Sequence, residues 1–335
     1  MTVTPPKSVL IIQTAFIGDV ILATALVEKL HQKFPATEID FVVRRGNEEL
    51  LQGHPLLREV LVFDKRKKFR NLISLIRKIR TRQYELVINV QRFATTGIMT
   101  VLSGGKMTIG FSKNPLSFLF SKSVAHTMEG LHEVDRNARL LAFLVGLEEA
   151  RPKLYPSPEQ FAKVFPFKTQ PYLTVSPASV WFTKQLPAEK WIELLSAVQE
   201  TTKVFLLGAS SDKVLCETIM NGTSRKNITV LAGELTLLES AALMAGARMN
   251  YVNDSAPMHL ASAMNAPVTA VFCSTVTSFG FGPLSDRSLV VETWEKLACR
   301  PCGLHGHRAC PEGHFKCAMT IRKEQLLGEM LHAKS

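Results

Sequence analysis

The sequence predicts an α/β protein with two doubly wound parallel sheets. Its 335 residues exceed what one ordinary hydrophobic core accommodates, so two domains are expected. Apolar, β-branched segments of strand length alternate with segments of helix length, which is the pattern of parallel βαβ units. The alternation starts again after a proline-rich stretch at residues 152–171, and this places a domain boundary there.

The first half begins with the strand-like segment SVLIIQT and a helix from Asp19 to about Lys33. Its further strand-like segments are EIDFVV, VLVF, ELVINV and KMTIGF. The second half repeats the alternation with PYLTVS, KVFLLG, ITVLAG, MNYVN, PVTAVFC and SLVVE. Helices of this half are predicted near residues 188–200, 212–220, 237–247 and 257–265.

These segments give two Rossmann-like domains, at residues 1–165 and 166–320. We expect residues 321–335 to form a C-terminal helix that packs back on the first domain. Ligands of open parallel sheets bind beyond the carboxyl ends of the strands. We therefore expect the two sheets to face each other across a cleft, with the site formed by the loops that follow the strands.

The composition argues against a membrane-spanning protein and points to an anionic partner. No apolar run reaches the roughly 18 residues of a spanning helix, and the N-terminal residues lack the pattern of a signal peptide, so a cytoplasmic location is expected. The net charge is +11, and nine basic residues with no acidic residue fall between Lys65 and Gln83. A local patch of this kind predicts a particular anionic surface or ligand.

Gly18 and Asp19 follow the first predicted strand directly. We expect Gly18 to allow a tight turn and Asp19 to open the helix, where an acidic side chain caps the helix or favours its dipole. A second interpretation makes Asp19 a general base, because a hydroxyl is a poor nucleophile near neutral pH until a carboxylate accepts its proton. The loop lacks the glycines of the GxGxxG dinucleotide fingerprint.

The segment YVNDSAPMHL predicts a strand, a short polar turn and a helix with Pro257 in its first turn. The free N–H groups at such a helix start, together with the helix dipole, bind a diphosphate. The expected donors are the N–H groups of Ser255, Ala256, Met258 and His259. The alternative is an ordinary strand–turn–helix connection that Asp254 or Ser255 caps.

Two further polar residues follow strands in the second half. Lys184 lies in a loop before a predicted helix and would offset the charge on a phosphate leaving group. Glu239 begins the helix after ITVLAGEL and would hold a pair of ribose hydroxyls. A solvated surface lysine and a favourable first-turn acid are the alternative interpretations.

The basic segment KRKKFRNLISLIRKIRTRQ is predicted to form an amphipathic helix whose apolar face packs on the first domain. That apolar face consists of Phe69, Leu72, Ile73, Ile76 and Ile79. Cations on its flank are expected to face an anionic acceptor or membrane headgroups. These cations are Arg66, Lys67, Lys68 and Arg70. Nucleic acid is the rival partner, but aromatic residues are scarce among the cations and no known nucleic-acid motif fits.

Four of the six cysteines lie close together near the C-terminus. They are Cys299, Cys302, Cys310 and Cys317. With three histidines between them they offer enough ligands for a tetrahedral zinc, although the second pair departs from the CxxC spacing of paired zinc knuckles. A group of reduced thiols without metal is the alternative in a cytosolic chain.

Together these segments resemble glycosyltransferase family 9, the bacterial lipopolysaccharide heptosyltransferases, over nearly the whole chain. IIQTAFIGDVILATAL is similar to the family's strand–GD–helix opening, and NDSAPMHLASAMNAPVTAVF to its second-domain signature. HEVDRNARLL is similar to the family's H-x-x-x-R-N segment, and CRPCGLHGHRACPEGHFKC to the cysteine-rich tail of heptosyltransferase II enzymes. One departure is Ala256, where the family usually has glycine, and it matters if the position requires a positive φ.

The resemblance implies a GT-B fold in which the first domain binds the acceptor and the second binds the nucleotide sugar. It implies an inverting, metal-independent transfer of a heptose from ADP-heptose to the phosphorylated Kdo–lipid A core at the cytoplasmic face of the inner membrane. Asp19 would be the catalytic base, Lys184 a charge stabiliser near the phosphates, and Glu239 a ribose ligand. The donor site would be lined by Gly18, Asp254, Ser255, Ala256, Pro257 and His259.

Two other classes of function stay open at this point. One is a transferase on the same scaffold that uses another nucleotide sugar. The other is a non-enzymatic protein that binds nucleotides or nucleic acid and carries a zinc-binding tail. No cofactor is expected for the transferase, and a structural zinc at the cysteines is the one metal considered.

Overall fold

The computed structural model describes residues 4–66, 68–127, 130–147 and 149–332, without the side chains of Lys68 and residues 329–332. Within these residues the strands form two six-stranded sheets, and neighbouring strands are parallel throughout. The chain divides into two compact units, the first ending at Tyr155 and the second beginning at Pro156. The prediction of two doubly wound Rossmann-like domains is confirmed.

The first unit alternates strands and helices along the chain. Its strands are β1 (Ser8–Ile12), β2 (Glu38–Arg44), β3 (Glu59–Phe63), β4 (Leu86–Asn89), β5 (Met107–Phe111) and β6 (Lys122–Val124). Its helices are α1 (Ile17–Lys33), α2 (Lys68–Thr81), α3 (Ala94–Val101), α4 (Glu133–Ala138) and α5 (Ala142–Val145). The sheet order is β3-β2-β1-β4-β5-β6.

The second unit begins with a helix and then follows the same alternation. Its strands are β7 (Tyr172–Ser176), β8 (Lys203–Leu206), β9 (Ile228–Val230), β10 (Met249–Asn253), β11 (Val268–Phe272) and β12 (Ser288–Glu292). Its helices are α6 (Pro158–Val164), α7 (Ala188–Ala197), α8 (Lys213–Asn221), α9 (Leu237–Met244), α10 (Ala256–Ala263), α11 (Lys316–Met319) and α12 (Lys323–His332). The sheet order is β12-β11-β10-β7-β8-β9.

Both sheets have one strand order, 3-2-1-4-5-6, when each is counted from its own first strand. In such a sheet the connections of the two central strands diverge, and a crevice opens at the carboxyl ends of these strands. The central pairs are β1 with β4 and β7 with β10. Asp19 follows β1, Lys184 follows β7 and Asp254 follows β10, so each lies where a crevice is expected in its own sheet.

Helix α2 packs through part of the predicted apolar face. Its inner face consists of Leu72, Leu75, Ile76 and Ile79, which are buried against β1, β2 and β3. This i, i+3, i+4, i+7 spacing is the core stripe of an amphipathic helix. The expectation that Phe69 and Ile73 belong to it is wrong, since Phe69 is 80% exposed and Ile73 is 52% exposed.

Several short elements were not predicted from the sequence, among them β6 and α6. Strand β6 has three residues, of which Lys122 and Ser123 are exposed, so it shows no periodic apolar pattern. Helix α6 lies inside the proline-rich stretch, where Ser157 and Gln160 form a capping box and Pro158 begins the helix. Because α6 packs against α9, the second unit begins at Pro156, before the boundary predicted at residue 165.

The last helix, α12, also differs from expectation. Its Leu326 is 1% exposed and belongs to the core of the second unit. The Gln325 amide donates to the Glu292 carbonyl at the end of β12 (2.8 Å), and the helix contacts α7. The apolar side chain and this hydrogen bond hold α12 in the second unit, which corrects the expectation that it packs on the first domain.

The His54 imidazole is 5% exposed, and its ring packs edge-on against Tyr155. Burial, aided by the charge of Lys153, lowers the pKa of His54 to about 4. An imidazole in the unfolded chain titrates near 6.5. The contribution of the neutral ring to the free energy of unfolding is therefore present above pH 6.5 and is lost as the pH falls towards 4.

Replacing His54 with Asn should flatten this loss, because Asn retains an acceptor for the Leu56 N–H and does not titrate. The pKa shift corresponds to about 3 kcal/mol of unfolding free energy between pH 6.5 and 4. Urea denaturation across this pH range measures it, with replacement of the exposed His305 by Asn as control. An unchanged pH dependence in the His54 variant would contradict the assignment.

Candidate active site

Asp19 lies in the first turn of α1, directly after the central strand β1. Its Oδ2 accepts a hydrogen bond from the Phe16 N–H (3.1 Å), as the capping interpretation expects. The side chain is half-buried. Gly18 does not form the tight turn predicted for it, because it lies inside α1 with helical backbone and the turn comes before Ile17.

A second carboxylate lies near Asp19. Burial raises the pKa of Glu133, and the negative charge of Asp19 adds to this effect while Arg136 opposes it. The Arg136 Nε donates to Glu133 (2.8 Å), and the Arg136 side chain is 1% exposed. Neither residue was among the predicted site residues, although both lie in the HEVDRNARLL segment and Arg136 is the arginine of its H-x-x-x-R-N pattern.

The loop after β7 is fixed to the neighbouring central strand by Asn253, which ends β10. The Asn253 Oδ1 accepts from the Leu186 N–H (3.0 Å), and its Nδ2 donates to the Pro177 carbonyl (2.7 Å). The side chain is fully buried. Asn253 therefore holds both ends of the loop that carries Lys184.

Lys184 and Asp254 form an ion pair beside the start of α10. The Lys184 Nζ lies 2.7 Å from Asp254 Oδ2, and the two side chains are 15% and 8% exposed. The Thr275 hydroxyl, which follows β11, donates to the same oxygen (2.6 Å). Three loops that follow neighbouring strands thus meet at one carboxylate, and Lys184 places a positive charge at a helix N-terminus.

Helix α10 begins with Ser255 as its N-cap and has Pro257 in its first turn. Ala256 is the first helical residue, so its backbone is that of a helix and no glycine is required there. The Met258 N–H donates to the Ser255 carbonyl (3.0 Å), which corrects its expected role as a free donor. The N–H groups of Ser255 and Ala256 lie at the N-terminal end of the helix. The side chain of His259 is buried one turn further along. A helix start of this kind favours an anion.

Glu239 combines two contacts in the first turn of α9. It forms a capping box with Thr236, whose N–H donates to Glu239 Oε2 (2.8 Å). The Lys163 Nζ of α6 lies 3.0 Å from the same oxygen. Burial opposes ionisation of Glu239, but these hydrogen bonds outweigh it and lower its pKa, so the carboxylate is charged at neutral pH.

The basic segment is partly neutralised by its neighbours. Arg66 pairs with Asp64 (2.9 Å), and the hydrogen bonds from Arg66 lower the pKa of Asp64 to about 2. Arg70 is exposed. Lys67 lies outside the described residues, as does the side chain of Lys68. The exposed Phe69 and Ile73 lie one turn apart on α2, next to Arg70, so this surface is both cationic and apolar.

All four cysteines of the zinc site considered above lie among the described residues. Among the described residues, no group of three or more histidine, cysteine, aspartate or glutamate side chains is arranged to hold a metal ion. The side chains of Cys299, Cys302, Cys310 and Cys317 are free thiols. Burial raises the pKa of Cys317 to about 11, and the neighbouring thiols add to this shift.

The amino-acid sequence is similar to those of known heptosyltransferases. The sequence profile of "Glycosyltransferase family 9 (heptosyltransferase)" matches residues 72–311. The lipopolysaccharide core heptosyltransferase OpsX of Haemophilus influenzae is 23% identical over 334 residues, which is 97% of this chain and 94% of that protein.

Two solved structures share the fold. A glycosyl transferase family 9 protein from Veillonella parvula superposes with a TM-score of 0.85 at 22% identity, covering 98% of both chains. The E. coli ADP-heptose lps heptosyltransferase II superposes with a TM-score of 0.80 at 18% identity, covering 98% of this chain and all of that one. These similarities confirm the predicted GT-B fold class. The profile matches more than half of this chain, so the chain belongs to glycosyltransferase family 9, the heptosyltransferase family.

Proposed function

We propose that the protein transfers a heptose from ADP-heptose to the inner core of lipopolysaccharide, with inversion at the anomeric carbon. The observation that carries the proposal is the Lys184–Asp254 pair beside the N-terminus of α10 (2.7 Å), at the carboxyl ends of the central strands. Such a place binds the diphosphate of a nucleotide sugar. Family membership supports the transferase activity, and the names of the H. influenzae and E. coli relatives support the lipopolysaccharide acceptor.

In the proposed reaction Asp19 is the general base. It accepts the proton of the acceptor hydroxyl as that oxygen attacks the anomeric carbon from the face opposite the nucleotide. The bond between the anomeric carbon and the phosphate oxygen breaks, and ADP leaves with its electron pair. Lys184 and the N–H groups of Ser255 and Ala256 offset the negative charge that grows on ADP. This positive charge serves the purpose that a divalent cation serves in other transferases, so the proposal assigns no metal to the reaction.

The nucleoside is proposed to bind at Glu239, with its ribose hydroxyls donating to the carboxylate. Replacing Glu239 with Gln should weaken ADP binding about tenfold, the scale of one charge-assisted hydrogen bond. Gln also suits a capping box, so the fold should be retained. Calorimetric titration with ADP measures the effect, and replacement of the exposed Glu234 by Gln is the matched control. Equal affinity in the Glu239 variant and the control would rule out the ribose contact.

The acceptor is proposed to be an anionic Kdo–lipid A core at the cytoplasmic face of the inner membrane. Helix α2 supports this, because Arg70 and the exposed Phe69 and Ile73 combine positive charge with apolar surface. Such a surface binds anionic headgroups and contacts the acyl boundary. Arg66, Lys67 and Lys68 are proposed to belong to the same surface. Among the described residues, no helix is long and apolar enough to cross a membrane.

The experiment that tests the function is incubation of the purified protein with ADP-heptose and truncated lipopolysaccharide acceptors. One acceptor carries no heptose and a second carries one heptose. We expect the mass of one of them to increase by a single heptose residue. The same acceptors with UDP- and GDP-sugars test the alternative donors, and transfer from one of these without transfer from ADP-heptose would overturn the proposal. Tight, steeply salt-dependent binding of RNA without transfer would instead indicate the nucleic-acid class.

A further inference from the structure

The segment that carries four cysteines, residues 299–317 (the cysteine loop), is attached to the strand end beside Asp254. The Arg300 guanidinium donates to the carbonyls of Cys273 and Thr275 (2.8 Å each). The Cys302 N–H donates to the Ser274 carbonyl (2.8 Å). The Thr275 hydroxyl in turn donates to Asp254. Through Thr275, the start of the loop therefore holds Asp254, the partner of Lys184, in place.

The middle of the cysteine loop contacts the residue before Lys184. The Thr183 N–H donates to the His307 carbonyl (3.1 Å), and the Thr183 hydroxyl oxygen accepts from the His307 N–H (2.7 Å). The hydroxyl also lies 3.1 Å from that of Ser274. Thr183 is 1% exposed, whereas the His307 side chain is exposed. His307 therefore contacts Thr183 through its backbone and not through its imidazole ring.

Gly306 allows the loop to come this close. Its φ is +74°, and a Cβ at this position would lie 2.8 Å from the Thr183 hydroxyl oxygen and 3.1 Å from Lys184 Cγ. Both the backbone conformation and the space thus favour glycine. Gly313 in the same loop also has a positive φ, +70°, but a Cβ there would meet nothing within 4 Å. The two glycines share the backbone requirement and differ in their distance from Lys184.

We infer that the Gly306–His307 step of the cysteine loop is part of the diphosphate site, and that Thr183 is a positioning residue that acts through Lys184. The inference rests on the proposed function, in which Lys184 faces the phosphates of ADP. The hydroxyl of Thr183 bonds both to the His307 backbone and to the Ser274 hydroxyl. These two contacts fix the position of Thr183, and Lys184 is the next residue in the chain. The ligand that this arrangement is inferred to bind is a nucleoside diphosphate.

The first test compares three variants of the full chain by calorimetric titration with ADP and by steady-state kinetics. Thr183→Val removes the hydroxyl at nearly constant shape, and Gly306→Ala pushes on Thr183 and Lys184. Both should weaken ADP binding about tenfold, the scale of one lost polar contact, and raise KM for the donor. Gly313→Ala carries the same backbone strain and should bind ADP as the wild type does. Equal losses in the two alanine variants would overturn the inference.

Two further measurements separate positioning from general damage to the fold. Thr183→Ser restores the hydroxyl and should recover ADP affinity relative to Thr183→Val. In a Lys184→Met background, Thr183→Val should cause no further loss of ADP affinity, because the residue through which Thr183 acts is gone. Additive losses would overturn the inference, and thermal unfolding verifies that each variant is folded.

The outcomes for the inference and for the proposed function are distinct. A Lys184→Met variant that binds ADP as the wild type does contradicts the phosphate role of Lys184 in the proposed function. A Thr183→Val variant that binds ADP normally, while Lys184→Met does not, contradicts the positioning role of Thr183 alone.

Discussion

Replacing Asp19 with Asn is expected to lower kcat about a thousandfold, the range over which a positioned general base accelerates proton transfer. Asn cannot accept the proton of the acceptor hydroxyl, but its side-chain oxygen can still accept from the Phe16 N–H that Asp19 holds at 3.1 Å. ADP affinity should therefore change little. Turnover with ADP-heptose and the acceptor, measured beside ADP titration, tests both halves of the prediction.

The second unit provides a matched control for the Asp19 variant. Asp212 Oδ2 accepts from the Ala209 N–H three residues earlier (2.8 Å), as Asp19 does from Phe16. Asp212→Asn removes a charge from the same kind of capping contact. Its kcat should stay within about twofold of the wild type, since surface changes of this kind cost little. Similar turnover in the two variants would show that Asp19 caps a helix and does not act as base.

Replacing Lys184 with Met is expected to lower kcat/KM for the donor by about 10²- to 10³-fold, the cost of removing one preorganised charge from a transition state. ADP affinity should fall as well, because the diphosphate loses its cation in both ground and transition states. The variant also leaves Asp254 buried without its counter-charge, which costs about 3 kcal/mol or more of unfolding free energy. Kinetics, ADP titration and urea denaturation of one preparation measure the three effects.

A double variant separates the structural and chemical roles of Lys184. Adding Asp254→Asn to Lys184→Met removes the uncompensated charge and retains an acceptor for the Thr275 hydroxyl. Stability should recover in the double variant, whereas kcat/KM should stay low because the phosphate still lacks its cation. Recovery of activity together with stability would mean that Lys184 only neutralises Asp254.

A helix or strand is well predicted from the sequence where its buried apolar residues recur at a regular spacing. Strand β1 and helix α1 follow directly from SVLIIQT and the apolar helix after it, since β1 is buried on both faces of its sheet. Strand β6 could not be found this way, because its three residues are mostly exposed. In α2 the pattern identified the helix and most of its inner face, but it also included Phe69 and Ile73, which are apolar residues that the fold leaves in water.

The candidate site was predictable to the extent that it lies directly after strands. Lys184 and Asp254 follow the two central strands of the second sheet, and chain topology alone brings such residues together at one edge of that sheet. Asp19 follows a central strand of the first sheet in the same way. The contact between Thr183 and His307 joins residues 124 positions apart through an irregular loop. No local period or propensity marks such a pairing, and the hydrogen bonds of Asn253 to the Lys184 loop were hidden for the same reason.

The cysteine loop has a chemical consequence that follows from its packing. Burial and the neighbouring thiols raise the pKa of Cys302 as well as that of Cys317, and the thiolate is the form that attacks electrophiles and oxidants. Near neutral pH these two sulfurs are therefore slow to alkylate or oxidise. Two of the four thiols in the loop that bonds to Thr183 are in this way less reactive than an ordinary cysteine.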